Sequence, residues 1–280
     1  MTWLNGLVTC DVATMARERV TYGLAVQKNG RIVSDMFVIA TDDKLLVFVP
    51  SSVADSLCAS LDAYLIMEDA TIRVGDYALF GALGPRTASL PSVGDDMKWH
   101  SRGYDGFGVP ALLVAAPKAV ANEAKAYLRD AVLGEGGATG TVEEWAQLRA
   151  HGFIPEFSLD FDASMYPQEA GLETRAVSFS KGCYLGQEVV CMLEMRGQVR
   201  RKLVMLSYEG EPLPAKTAVV AKSGDSAGET KSAAVSLLEN GRSLGFAMVK
   251  RTLADVGSEL VIASGDGSSR VARVVERTWP

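Results

Sequence analysis

FSKGCYLGQE, residues 179–188, packs a lysine, a cysteine, a glutamine and a glutamate into ten positions and sets the cysteine between two glycines. A thiolate is a nucleophile, a redox centre and a soft metal ligand, and a thiol ionises more readily beside a cation or at a helix N-terminus. If Cys183 opens a helix, Lys181 and the helix start both push in that direction, so Cys183 is the expected reactive cysteine and the first candidate catalytic residue. Gly182 and Gly186 remove side chains where a second backbone or a flat ligand could approach closely. On such a helix Gln187 lies four positions on and shares the face of Cys183, while Glu188 accepts from a bound group or a neighbouring amide. The same ten residues also describe a glycine-punctuated turn around an inert, buried cysteine, and residue types alone leave both open.

The other cysteines are Cys10, Cys58 and Cys191, with no C-x-x-C pair and only two histidines, His100 and His151, in 280 residues. That pattern gives no basis for a resident zinc site or a cluster held by this chain alone, so no metal ligand is predicted and the thiols are expected to be free. A net charge of -6 argues against a nucleic-acid polyanion as main partner. No apolar run reaches the roughly 20 residues that span a bilayer, and MTWLNGLVTC lacks a signal peptide's basic start. The expectation is a cytoplasmic monomer with no membrane partner.

Other parts of the chain must position the cysteine. YGLAVQKNGRIVSDMFVIA reads as two strands about a two-residue turn at Asn29-Gly30. KLLVFVP is a strand, SSVADSLCASLDAYLI a capped amphipathic helix with Val53, Leu57, Leu61, Tyr64 and Leu65 on one stripe, and DATIRVGDYALFGALG returns to strand. PKAVANEAKAYLRDAVL is a helix ending at Gly134, and Thr141 with Glu144 forms a capping box for another that stops near Gly152. Residues 151–172 show no period and read as an ordered loop. From about Val199 six short strand patterns with tight turns at Glu-Gly, Ser-Gly-Asp, Asn-Gly and Gly-Asp-Gly imply a small barrel or sandwich.

KGCYLGQE resembles the signature of the YgfZ family, folate-binding relatives of the glycine-cleavage T-protein (aminomethyltransferase) that serve in iron–sulfur cluster assembly or repair. WLNGLVTCDV, KNGRIVSDMFV, LRAHGFIP, YPQEAGLETRAVSFSKGCYLGQE and RGQVRRKL resemble further family blocks, so the likeness covers nearly the whole chain. The implied fold is α+β, a three-domain ring of T-protein type. Residues 1–42 and 140–197 would form a discontinuous folate-binding domain, 43–139 a second α+β domain and 198–280 a small antiparallel β-barrel. The chain starts at the WLNG block, without the short strand that usually precedes it.

The resemblance also implies a central pocket for tetrahydrofolate or a one-carbon derivative. Glu169 matches the glutamate that holds the pterin edge, a role suited to a carboxylate accepting paired N–H groups. Asp35 falls close to the T-protein's catalytic aspartate, with Ser34 one register step away. Arg149 matches the arginine of the LR block, Arg196 is a candidate for the anionic tail, and Tyr184 is among the aromatics of the pocket lining. A surface carboxylate is the alternative for Asp35, a structural ion pair for either arginine. Met192 and Glu194 stand at usually basic positions and make the rim beside Cys183 less positive. The implied function is a tetrahydrofolate-binding protein that supports iron–sulfur cluster assembly or repair through Cys183, with iron–sulfur proteins or assembly factors as partners. The alternative is a folate-dependent aminomethyl or methyl transferase, in which Asp35 orients the reacting amine.

Overall fold

β-branched and aromatic residues suit a pleated, half-buried surface, and around Thr21, Tyr22, Val26, Ile32 and Phe37 they build β1 (Thr21–Val26) and β2 (Ile32–Ala40). The two strands pair antiparallel, with Tyr22 opposite Phe37 and Leu24 opposite Asp35, and β3 (Leu45–Phe48) extends the sheet beside β2. The turn is longer than the two residues expected. The Gln27 amide donates to the Arg31 carbonyl, so three residues close the hairpin, with Gly30 at φ 78° as the left-handed member. The structure is a computed structural model that describes residues 2–91, 98–197, 199–263 and 267–276.

Before this hairpin comes α1 (Thr2–Asn5), and after it α2 (Ala54–Asp62). Leu57 and Leu61 of α2 are buried as the stripe predicted, but its N-cap is Val53, which makes no side-chain cap bond, and Tyr64 is only partly covered. A second sheet contains β4 (Tyr77–Leu83), β5 (His100–Tyr104) and β6 (Ala111–Pro117), in the order β4-β6-β5. The strand expected from residue 69 onward begins only at Tyr77. α3 (Ala121–Gly134) lies against β4 and β6, burying Ala124 and Leu128.

α4 (Val142–Gly152) opens on the expected capping box, with Glu144 N donating to Thr141 Oγ1 and Thr141 N to the Glu144 carboxylate. Short α5 (Glu173–Ala176) and α6 (Gln187–Arg196) follow the irregular 153–172 segment. Six strands then close a barrel: β7 (Arg201–Glu209), β8 (Ala218–Ala221), β9 (Ser226–Val235), β10 (Arg242–Lys250), β11 (Glu259–Ala263) and β12 (Ser269–Val275). Their order around the barrel is β10-β7-β12-β11-β8-β9, every pair antiparallel, and closure removes the unpaired edges that a sandwich would leave. Leu206, Tyr208, Val219, Leu260 and Ile262 belong to its core. β9 begins at Ser226, six residues before the strand read from SAAVSLL. Of the Gly-Asp-Gly turn expected at 265–267, the first two residues lie outside the described residues, as does Gln198 of the RGQVRRKL block.

By internal contacts the chain forms two compact units. One comprises Met1–Thr139 with Arg175–Gln187, the other Gly140–Thr174 with Glu188–Pro280. Among the described residues no helix is long and apolar enough to cross a membrane.

Within the first unit, Gly186 has φ 78°, and a Cβ there would collide with the carbonyl oxygen of Gln27 in the hairpin. Gly182 has nothing within 4 Å of a built Cβ. Gly186→Ala should therefore lower the unfolding free energy by about 1–3 kcal/mol, whereas Gly182→Ala stays close to wild type. Chemical denaturation of the two variants checks this, and equal effects would contradict the close approach.

Candidate functional site

The cysteine turn is tied down by its lysine. Lys181 Nζ donates to the carbonyls of Asn5 (2.5 Å), Val8 (2.8 Å) and Cys10 (2.7 Å), and it lies 5.2 Å from the centre of the buried Tyr184 ring. Three carbonyl dipoles and an aromatic face can hold an ammonium away from water, each contact being stronger for the charge on the donor. Burial nevertheless pulls the Lys181 pKa below its usual value, opposed by Cys10 and Asp11. Backbone bonds complete the docking: Ser178 N donates to Thr9 O, Leu185 N to Gly6 O, and Thr9 Oγ1 to Ala176 O at 2.6 Å.

This geometry corrects the picture of a cysteine at a helix start. α6 begins at Gln187, four residues after Cys183, so Cys183 and Gln187 do not share a helical face, and the Lys181 ammonium is engaged by backbone carbonyls. Cys183 is solvent-exposed, Cys58 and Cys191 are half-buried, and Cys10 is buried. A Cβ on Gly23 would overlap Cys10 Sγ, so the glycine in β1 makes room for that thiol. Burial pushes the Cys10 thiol up to about 11 despite the pull of Lys181, and burial together with Glu194 raises that of Cys191. Tyr184, expected to line a ligand pocket, has its ring buried beside Lys181.

Asp35 lies on the more accessible face of β2, and Ser34, on the other face, is fully buried. Tyr22 Oη donates to Asp35 Oδ2 at 3.0 Å, a diagonal cross-strand pair. Tyr22 stacks at a tilt on Phe37 (5.0 Å between centroids), and Phe37 meets Tyr104 edge-on at 5.4 Å. Burial pushes both phenols above their usual range, the Asp35 charge adding to this while Arg175 opposes it. Tyr22 therefore stays protonated and holds the carboxylate as a donor. Sequence reading missed Tyr22; its place two residues before Leu24, the residue opposite Asp35, becomes legible only once the register is known.

In the second unit Glu169 is buried, with Oε2 accepting from Tyr166 N and Oε1 from Arg201 Nε, both at 3.1 Å. Its carbonyl accepts from Leu203 N at 2.7 Å, fixing the loop to β7. A carboxylate offers about four acceptor sites, so these two bonds leave capacity for another donor. Arg149 is buried, and its guanidinium reaches Asp160 Oδ2 (2.7 Å), Ile154 O (3.0 Å), Ser232 Oγ (3.1 Å) and Glu156 Oε2 (3.2 Å). Asp160 in turn accepts from Ser232 and Glu156 backbone amides. Arg149 thus makes the ion pair that was the alternative for it, and its fork ties α4 to the loop and β9. Arg196, the last residue of α6, is exposed.

Exposure and burial set an order of thiol reactivity. With limiting iodoacetamide at neutral pH, mass spectrometry should find Cys183 alkylated first and Cys10 last, with Cys10 gaining reactivity only as pH approaches about 11 or the chain unfolds. First labelling at Cys58 or Cys10 would show that the Cys183 turn is closed in solution.

No family model matches the chain. Curated relatives do. The tRNA-modifying protein YgfZ of Sodalis glossinidius is 26% identical over 232 residues, covering 76% of this chain and 67% of the relative. Its namesake in Aliivibrio fischeri is 24% identical over 219 residues with the same coverage, and that of Shigella sonnei 26% over 225. Among solved structures, the glycine cleavage system aminomethyltransferase T from Bartonella henselae superposes with a TM-score of 0.83 at 15% identity, covering all of this chain and 81% of that one. The chain therefore has the α+β fold of the T-protein, closed at its C-terminus by a six-stranded barrel, and its sequence is similar to the YgfZ proteins over three quarters of its length, as the KGCYLGQE block implied.

Proposed function

We propose that this protein binds tetrahydrofolate or a one-carbon derivative and supports tRNA modification, with Cys183 as a redox-active or transiently ligating thiol in iron–sulfur cluster assembly or repair. The observation that carries this reading is the docked turn: the lysine and second glycine of KGCYLGQE are absorbed by packing, and the cysteine between them is left exposed. Buried sulfur would serve packing; exposed sulfur on a braced loop serves chemistry. The relatives' name as tRNA-modifying proteins supports the cellular outcome, and Glu169, with acceptor capacity remaining, supports a pterin edge. The folate-binding domain, the second α+β domain and the barrel would follow the division into 1–42 with 140–197, 43–139 and 198–280.

One observation favours a second reading. A carboxylate oriented by a phenol, as Asp35 is by Tyr22, suits proton handling at a reacting amine in a folate-dependent aminomethyl transferase. Formation of methylenetetrahydrofolate by wild type, lost in Asp35→Asn with folate still bound, would select it.

Calorimetric titration with tetrahydrofolate tests the ligand. Glu169→Gln keeps an oxygen for Arg201 and should weaken binding by roughly 1.5–3 kcal/mol, the range for a hydrogen bond to a charged group; unchanged affinity would remove Glu169 from the site. In a bacterial host lacking its own family member, wild type should restore the modified nucleosides of tRNA while Cys183→Ser does not, with tetrahydrofolate affinity retained. Full restoration by Cys183→Ser would reduce the cysteine to a turn residue.

A further inference from the structure

In the second unit, one hydrogen bond that depends on protonation state joins the last turn of α4 to the connection between β9 and β10. His151 is buried, and its Nε2 accepts from the Leu237 amide at 2.9 Å. An accepting nitrogen carries no proton, so this bond exists only with a neutral imidazole protonated at Nδ1. Within the connection, Ser236 Oγ accepts from the Leu238 and Glu239 amides, Ser236 N donates to Arg242 O, and the Glu239 carboxylate pairs with Arg242 Nε at 3.0 Å. Packing adds little, because Leu237 and Leu238 are 51% and 69% exposed. The bond to His151 therefore fixes where residues 236–241 sit against α4, which packs on β9 and β10.

Burial pulls the His151 pKa below its usual value, and Glu239 opposes it. The carbonyl end of α4 also favours the cation. Of the neighbouring charges, Arg242 on β10 is shared among Glu239, Glu209 and Ser207, Lys231 on β9 is bonded to Glu229, and Arg149, two positions before His151, is bonded to Asp160. With the folded pKa lowered, the closed arrangement has its full stability above the unperturbed histidine value of about 6.5 and weakens as pH falls below it. Two arrangements are then available to the same groups. A neutral ring accepts from Leu237 and leaves Glu239 to Arg242; a charged ring would set two donors against each other at Leu237, and Glu239 is the nearby acceptor that answers it.

We propose that His151 is an acid-sensitive latch on the connection between β9 and β10: neutral, it holds residues 236–241 against α4 through Leu237; protonated by solvent, it releases Leu237 and donates to the Glu239 carboxylate. The latch uses neither Glu169 nor Cys183 and stands apart from the folate reading. Amide hydrogen exchange on the full chain tests it, with each rate divided by the intrinsic rate at that pH. Protection of the Leu237 amide should fall by about threefold or more between pH 7.5 and 5.5, at most tenfold per pH unit below about 6.5, while β7 amides stay unchanged. His151→Gln, whose side-chain oxygen accepts at any pH, should keep the protection and lose its pH dependence, and Glu239→Gln should move the fall to lower pH. Ring nitrogen shifts of the wild type at pH 7.5 should show Nδ1 protonated and Nε2 bare, a reading that needs no variant to fold. Flat Leu237 protection in wild type, the same fall in His151→Gln, an unmoved fall in Glu239→Gln, or a proton on Nε2 at pH 7.5 would overturn the proposal.

Discussion

A buried ammonium bonded to three backbone carbonyls organises the region around Cys183. Lys181 is separated from Asn5, Val8 and Cys10 by more than 170 positions in the chain, yet its three donors are answered by those three carbonyls. Removing the charge would leave three inward-facing carbonyls without a donor, and removing the carbonyls would leave a charge without solvent. Each half of the arrangement is therefore costly alone, which is why the WLNG block and the cysteine turn form one object. The exposed thiol sits on a turn held on both sides: Lys181 before it, the buried Tyr184 ring after it, and Gly186 pressed on the hairpin.

Other charges are handled in the same way, by geometry more than by number. Arg149 and Asp160 form a buried pair whose remaining atoms are taken by Ser232, Ile154 and the Glu156 amide, so the pair ties together helix, loop and barrel strand. Such a pair contributes more to defining one arrangement than to net stability. Glu169 does the corresponding work between the 164–172 loop and β7 but keeps acceptor capacity, and that difference separates a structural arginine from a candidate ligand-binding glutamate.

Local signals were legible in the sequence and long-range ones were not. The Thr141 capping box, the stop of α3 at Gly134 and the six strand patterns after Val199 each depend on neighbours a few residues apart, and each appears where expected or within a few positions. The Cys183 turn was legible as a special segment, but not its physics. Lys181 read as a helper for the thiol because the nearest group in sequence was the cysteine; its partners lie in another block, and no periodicity joins them. Tyr22 escaped for the same reason, since its role depends on strand register. Arg149 was found by family likeness, and only the packing of Asp160 beside it assigns its bonds.

Amide hydrogen exchange compares the central claim with its negation most directly. Ser178 and Leu185 amides donate to Thr9 and Gly6 carbonyls, bonds that depend on the turn staying docked. In wild type both should be protected and should open together; in Lys181→Met, which keeps the stem and removes the charge, both should exchange far faster while amides of the barrel strands are unchanged. Equal protection of Ser178 and Leu185 in the two proteins would contradict the account, because the turn would then be held without its lysine.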